Sequence, residues 1–166
     1  FINFRCLILE MGHTQIRKYE EYAYVLDSKS RFKSTTVRGR TGIIVIGIGE
    51  ERLTLLEILG IENSTFDVGE RIYIGKEGRT KVQSVLGKMD YVKISDSAKN
   101  EIPRIVESIV TKNEKKFVDY INIAQPLTPR IHALELIPGI GKTYMTVIIK
   151  EREKEPFESF HDIEKR

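Results

Sequence analysis

The stretch LELIPGIGKTYMT, residues 134–146, decides how the second half of the chain is read. Its Gly-Ile-Gly-Lys-Thr has the look of the end of an ATP-binding P-loop. A P-loop needs GxxxxGK[ST], and five residues before Gly141 stands Leu136 rather than glycine. The preceding TPRIHALELI carries helix signals where a P-loop requires a buried strand, so Lys142 and Thr143 are not assigned to ATP. The segment reads instead as helix, tight turn, helix. Thr128 as N-cap and Pro129 as first helical residue open a helix to Ile137, with Ile131, Leu134 and Ile137 on one side. Pro138 discourages continuation, and Gly139 and Gly141 admit backbone angles that other residues avoid. A second helix from about Lys142 to Lys154 stacks Tyr144 on Ile148 and Met145 on Ile149, with Ile140 filling the space between the helices.

Upstream, the character is different. YAYVLD (22–27), GIIVIGIG (42–49), RLTLLEIL (52–59) and GERIYIG (69–75) are rich in Ile, Val, Leu and Tyr and bounded by Gly, Asp, Asn and Ser. That is the signature of strands and turns, and short strands at close spacing suggest a small barrel. TKVQSVL and DYVKIS add a further strand or a short helix. From Asp96 the apolar positions Ala98, Ile102, Ile105, Val106, Ile109 and Val110 fall on one helical face. Pro103 lies among them, so the expectation is a kink or a helix start near 102. NEKKFVDYINIA then places Phe117, Tyr120, Ile121 and Ala124 on one face. Strands followed by helices give an α+β fold of two small domains, 1–95 and 96–166.

The chain has 166 residues, 40% hydrophobic and 31% charged, enough apolar content to bury a core. No apolar run approaches the roughly 20 residues of a membrane helix, and no secretory signal is visible. Phe1 rather than Met opens the chain, which leaves room for residues before it. Cys6 alone excludes an internal disulfide framework, and His13, His132 and His161 lie too far apart for a zinc site. These features favour a soluble cytoplasmic protein, with no metal or cofactor expected and a monomer as the expected state. The net charge of +3 lies wholly before residue 96, where 15 Lys+Arg face 12 Asp+Glu. It is concentrated in KSRFKSTTVRGR, where Lys29, Arg31, Lys33, Arg38 and Arg40 face no acid. Such a stretch can follow a phosphate backbone or be a solvated loop between strands.

LIPGIGKTYMTVIIKER resembles the hairpin and second helix of the helix-hairpin-helix motif, a nucleic-acid binder without sequence preference. The motif would span about 128–154. Its glycines let a phosphate approach, and the start of the second helix offers outward N–H groups with a favourable dipole. The resemblance assigns the contact to Gly139, Ile140, Gly141, Lys142 and Thr143. A wider likeness covers residues 53 to 166. LTLLEIL, VGERIYIGK, NEKKFVDYINIAQPLT, RIHALELIPGIGK and PFESFHDI resemble the archaeal DUF655 family, proteins predicted to bind RNA. That resemblance implies an OB-like β-barrel followed by a helix-hairpin-helix domain, with RNA ahead of DNA as partner. Family members usually continue past DIEKR with another helical segment. Residues 28–47 match less well, so the basic stretch rests on its own chemistry.

Helix-hairpin-helix turns also occur in base-excision glycosylases. Those place an Asp about 20 residues beyond the hairpin, and the bifunctional ones add a Lys where this chain has Thr143. Asp162 is the acid at suitable distance, but PFESFHDI reads as an aromatic anchor and a helix start opened by Ser159 or His161. There is no G-x-S-x-G or H-E-x-x-H, and Arg52 stands where a dinucleotide loop after Gly47 and Gly49 needs glycine. The pairs Glu20–Glu21 and Glu50–Glu51 read as solvated ends, and His132 as a packed or exposed histidine rather than a phosphate ligand. No catalytic residue is assigned. The expected function is noncatalytic nucleic-acid binding through the hairpin and the barrel surface, with Tyr22, Tyr24, Phe32 and Tyr73 as stacking candidates. The other reading is a protein-interaction module that uses the hairpin for packing.

Overall fold

The computed structural model describes residues 19–28 and 35–166. They fall into two compact units, one ending at Ser108 and the other beginning at Ile109. The first unit is organised by the apolar run after residue 40. It forms β3 (Arg40–Gly49), the middle strand of an antiparallel sheet of order β5-β1-β3-β4-β6. The others are β1 (Tyr22–Ser28), β2 (Thr35–Val37), which pairs with β3 off this path, β4 (Leu55–Ile61), β5 (Arg71–Tyr73) and β6 (Val82–Lys88). Val45 of β3 joins a core of Ala23, Val25, Leu56, Ile58, Phe66, Ile72, Ile74 and Val82. Ile44, Ile46 and Ile48, alternate in β3 and so on its other face, are buried too. Burial on both faces explains why IIVI reads as a continuous run rather than an alternation.

The six strands stay an open sheet: among the described residues no ladder joins β5 to β6, so the expected barrel does not close. A bulge at Leu26, between the Val25–Gly47 and Asp27–Ile46 pairs, bends β1. β2 and β3 are joined by a two-residue turn in which Arg38 (φ 51°) and Gly39 (φ 75°) both take positive φ, as a type I′ hairpin requires.

β4 begins at Leu55, later than expected, because residues 50–54 wrap a carboxylate. Glu20 accepts from the N–H groups of Glu51 (2.8 Å), Arg52 (3.0 Å) and Thr54 (3.4 Å). A Cβ at Gly49 would overlap that carboxyl, so a larger residue there would push Glu20 out of the clamp. Glu20 is thus no solvated end. Neither is Glu50, which accepts from Arg71 Nε (3.0 Å) and Nη2 (2.7 Å) and from the Tyr24 hydroxyl (3.2 Å).

After a short 3-10 turn, Tyr91–Lys93, α1 (Asp96–Lys112) crosses the division between the units. Ser95 accepts from Ala98 N–H at its start and donates to Asp27 at 2.6 Å. The helix begins at Asp96, not near 102: the cap fixes its start, and the buried stripe of Ala98, Ile102, Ile105 and Ile109 continues past Pro103, which sits on the exposed side.

The second unit holds α2 (Glu114–Ile123), a hairpin of β7 (Pro126–Thr128) and β8 (Ile131–His132), a 3-10 turn (Ala133–Leu136), α3 (Lys142–Lys154) and α4 (Phe160–Lys165). The α-helix expected over Thr128–Ile137 does not form. Thr128 Oγ1 accepts from Arg130 N–H (3.3 Å) and Ile131 N–H (3.1 Å), the local bonding by which threonine makes turns instead of helix. His132 then caps the 3-10 turn: its Nδ1 accepts from Leu134 N–H at 3.1 Å, and its own N–H donates to Glu135 at 2.9 Å. Too few residues remain before Pro138 for a stable α-helix. Asn122 pairs with the Phe157 backbone in both directions, each bond 2.8 Å. Arg152 donates to the Ile121 and Ala124 carbonyls, both at 2.7 Å, closing the end of α2. Among the described residues no helix is long and apolar enough to cross a membrane.

Two titrations follow from this architecture. Burial raises the Glu20 carboxyl above the ordinary carboxylate value, against the N–H groups of residues 51, 52 and 54 that pull it down. A carboxyl raised in the folded state binds more protons folded than unfolded. Its contribution favours folding at acid pH and is lost as pH rises from about 4.3 through the raised value. Urea midpoints should show the parent losing stability relative to Glu20→Gln across that window; a constant difference would contradict this. Burial, then the Arg152 charge, lowers the His132 pKa, with Glu135 opposing. That contribution is present above about 6.5 and is lost as pH falls towards the lowered value. Arg152→Met should raise the His132 pKa measured by NMR while costing about 2 kcal/mol of stability from the orphaned carbonyls. An unmoved His132 titration would count against the proximity of these two groups.

Candidate nucleic-acid interface

Ile137, Pro138, Gly139 and Ile140 form the turn that sets the site. The Ile140 N–H donates to the Ile137 carbonyl at 3.0 Å, Pro138 fills the second position, and Gly139 takes φ 91° at the third. Proline followed by glycine at positive φ is the composition of a type II turn. Gly141 follows in an extended conformation (φ −85°, ψ 179°) and is the N-cap of α3. The first bond of the helix runs from Met145 N–H to the Gly141 carbonyl at 2.9 Å. The N–H groups of Lys142, Thr143 and Tyr144, and of Gly141 itself, therefore precede the ladder and have no intrahelical acceptor.

Like α2, α3 lacks a side-chain cap bond, and it alone among the four helices of the described residues has no acid in its first turn. α1 opens with Asp96 and the Ser95 cap, α2 with Glu114, and α4 with Asp162 and a Ser159 cap. α3 instead places Lys142 where the helix dipole is already positive. Gly139, Gly141, Lys142 and Thr143 are all exposed, Ile140 is half-buried, and no atom would obstruct a Cβ on either glycine. The five hairpin residues thus lie together on one open turn, with backbone donors and an ammonium but no carboxylate among them. At the far end of α3, Lys154 is paired with Glu151 and holds its carboxyl below the usual range.

The basic stretch is only partly described. Arg38 and Arg40 are exposed at and beside the tip of the β2–β3 hairpin, without a carboxylate partner among the described residues. The calls on Lys29, Arg31, Lys33 and Phe32 lie outside the described residues. Of the aromatic candidates, Tyr24 is buried and bonded to Glu50. Tyr22 lies beneath the Arg71 guanidinium, 3.4 Å from the ring centroid, and meets Tyr73 edge-on at 5.2 Å. Asp162 has helix-start contacts: its N–H donates to Ser159 Oγ at 3.0 Å, and its carboxylate accepts from Glu158 N–H and Arg166. His132 is buried and caps the 3-10 turn.

Tyr144, expected to stack on Ile148 along α3, lies largely in water. It is 66% exposed and stands beside the turn, with Val147 also exposed. The i, i+4 spacing identified a pair but not which side of the helix it occupies. The Glu20 clamp was not foreseen either, since its partners lie more than 30 residues along the chain and leave no local pattern.

A family model for a protein of unknown function, DUF655, matches residues 19–166. An uncharacterised protein of Methanocaldococcus jannaschii, MJ0038, is 39% identical over 150 residues, covering 90% of this chain and 68% of that protein. The crystal structure of Af1531 from Archaeoglobus fulgidus, itself described under the DUF655 family model, is similar with a TM-score of 0.77 at 39% identity. The match covers 89% of this chain and 83% of that one. The sequence match and the shared fold agree, and the chain belongs to the DUF655 family.

Proposed function

We propose that this protein binds nucleic acid, RNA ahead of DNA, by its backbone phosphates and without catalysing a reaction. The observation that carries the reading is the start of α3: exposed N–H groups after Gly141, no cap, no acid, and a lysine in the first turn. A helix beginning in this way is prepared for an anion, and a phosphodiester supplies one without requiring base recognition. In this reading residues 133–154 are a helix-hairpin-helix whose first helix is shortened to a 3-10 turn, and the open sheet is an OB-like variant. Arg38 and Arg40 add a second point of phosphate contact on the sheet unit. RNA is placed first on the strength of the family resemblance. A cytoplasmic monomer belongs to the same reading.

A second reading has its own support. Tyr144 and Val147 are apolar side chains in water next to the hairpin, as on a surface that packs against another protein. Openness of both glycines leaves the turn accessible to a phosphate, since no described residue of this chain packs over it.

Gly141→Glu tests the reading. The position has room for a side chain and a negative φ, so the variant keeps its fold, while its carboxylate occupies the anion position. Fluorescence anisotropy against single-stranded RNA, duplex RNA and duplex DNA over a salt series should show salt-sensitive binding by the parent. Gly141→Glu should weaken it about tenfold or more, with an unchanged melting temperature. Undiminished binding by the variant would remove the hairpin from the interface, and absence of binding by the parent would favour the protein-interaction reading.

A further inference from the structure

The sheet unit contains an open groove of about 1010 Å³. That is at the upper end of the roughly 300–1,000 Å³ of ordinary ligand sites. Leu56, Ile74 and Thr54, all buried, lie at its base, with Val85 half-buried beside them. Tyr19, Lys76 and Lys88 stand exposed at its rim. Tyr19 is 64% exposed, and the Lys76 ammonium lies over its ring, 5.7 Å from the centroid. None of these residues takes part in the hairpin.

We propose that this groove receives unpaired nucleotides of a single-stranded nucleic acid, a base stacking on Tyr19 and its phosphate meeting Lys76 and Lys88. The inference rests on the nucleic-acid reading above and places a second contact in the sheet unit. A nucleotide joins a flat apolar face to an anion, and the groove joins an exposed aromatic ring and an apolar base to two ammonium groups. The other charges in the groove limit the alternatives. Glu20 is engaged by the N–H groups of residues 51, 52 and 54, and the Arg79 guanidinium is bonded to the Gly75, Gln83 and Ile74 carbonyls. Glu21, Glu77 and Arg52 also line the groove, so carboxylates and cations alternate there and its attraction for phosphate is local to the cationic heads rather than a broad basic field. Stacking therefore carries much of the affinity, and a strand with accessible bases is preferred to a duplex, whose bases are covered. Tyr19 lies outside the strands, and neither its sequence neighbours nor its spacing mark it as a stacking residue.

The test compares two fluorescent oligonucleotides about 12 nucleotides long, one with bases and one abasic with the same sugar-phosphate backbone. Binding is measured by anisotropy for the parent, Tyr19→Ala, Tyr19→Phe, Lys76→Gln/Lys88→Gln and Gly141→Glu. Tyr19→Ala should weaken binding of the base-bearing strand about tenfold and leave the abasic strand unchanged, and Tyr19→Phe should retain parent affinity. The lysine variant should lower the salt slope by about 1 to 2 for both strands. Unchanged binding by Tyr19→Ala, or an equal loss for both strands, would overturn the groove proposal. If Gly141→Glu loses binding while Tyr19→Ala does not, the groove falls and the hairpin stands. If Tyr19→Ala discriminates between the strands while Gly141→Glu binds normally, the groove stands and the hairpin falls. A parent that binds neither strand overturns both.

Discussion

A helix cannot satisfy the N–H groups of its own first turn, and something outside the ladder has to meet them. In α3 that constraint is set by three residues. Pro138 and Gly139 turn the chain, and Gly141 begins a helix with no side chain to fold back onto its amides. Lys142 then adds a positive charge where a helix ordinarily places an acid. Water can satisfy such donors on a free surface, but the lysine raises the positive potential there and so favours an anion. The local departure from good capping is the feature that a functional account has to explain.

Elsewhere the chain meets the same demand internally. Its irregular segments are tied by long side chains that seek out backbone groups: Glu20 in the loop before β4, Arg79 in the turn after β5, Arg152 at the end of α2. Arg166 donates to the Glu151 and Glu155 carbonyls at 2.6 and 2.8 Å. Arg71 is held by Glu50. These arginines are part of the scaffold, so the formal charge of +3 is a poor guide to what attracts an anion. Exposed cations not tied into the backbone, among them Arg38, Arg40, Lys76, Lys88 and Lys142, carry that information better.

Much of the fold was legible because the relevant physics is local. The double-sided burial of β3, the stripe along α1 and the Ser159 cap each leave a pattern within a few residues. The segment 126–137 was not legible, since Pro129 and Thr128 have the same appearance at a helix start as in a turn. The hydroxyl bonds to Arg130 and Ile131 selected the turn. The open sheet and the Glu20 clamp depend on pairings between distant residues, which no local spacing reports. At the candidate site, the loop and its glycines could be read from PGIG, whereas the outward direction of Tyr144 depended on which face α3 buries. The exposed ring of Tyr19 over the groove is visible only once β4, β5 and β6 are in place.

The most direct measurement of the central claim is a titration of the isotopically labelled full chain with single-stranded RNA, followed by amide proton and nitrogen shifts. The account predicts that the N–H resonances of Gly139, Gly141, Lys142 and Thr143 move early and together, and that added salt reverses the change. If these amides stay fixed while RNA binds elsewhere on the protein, the start of α3 is not a phosphate site and the account of the hairpin is wrong.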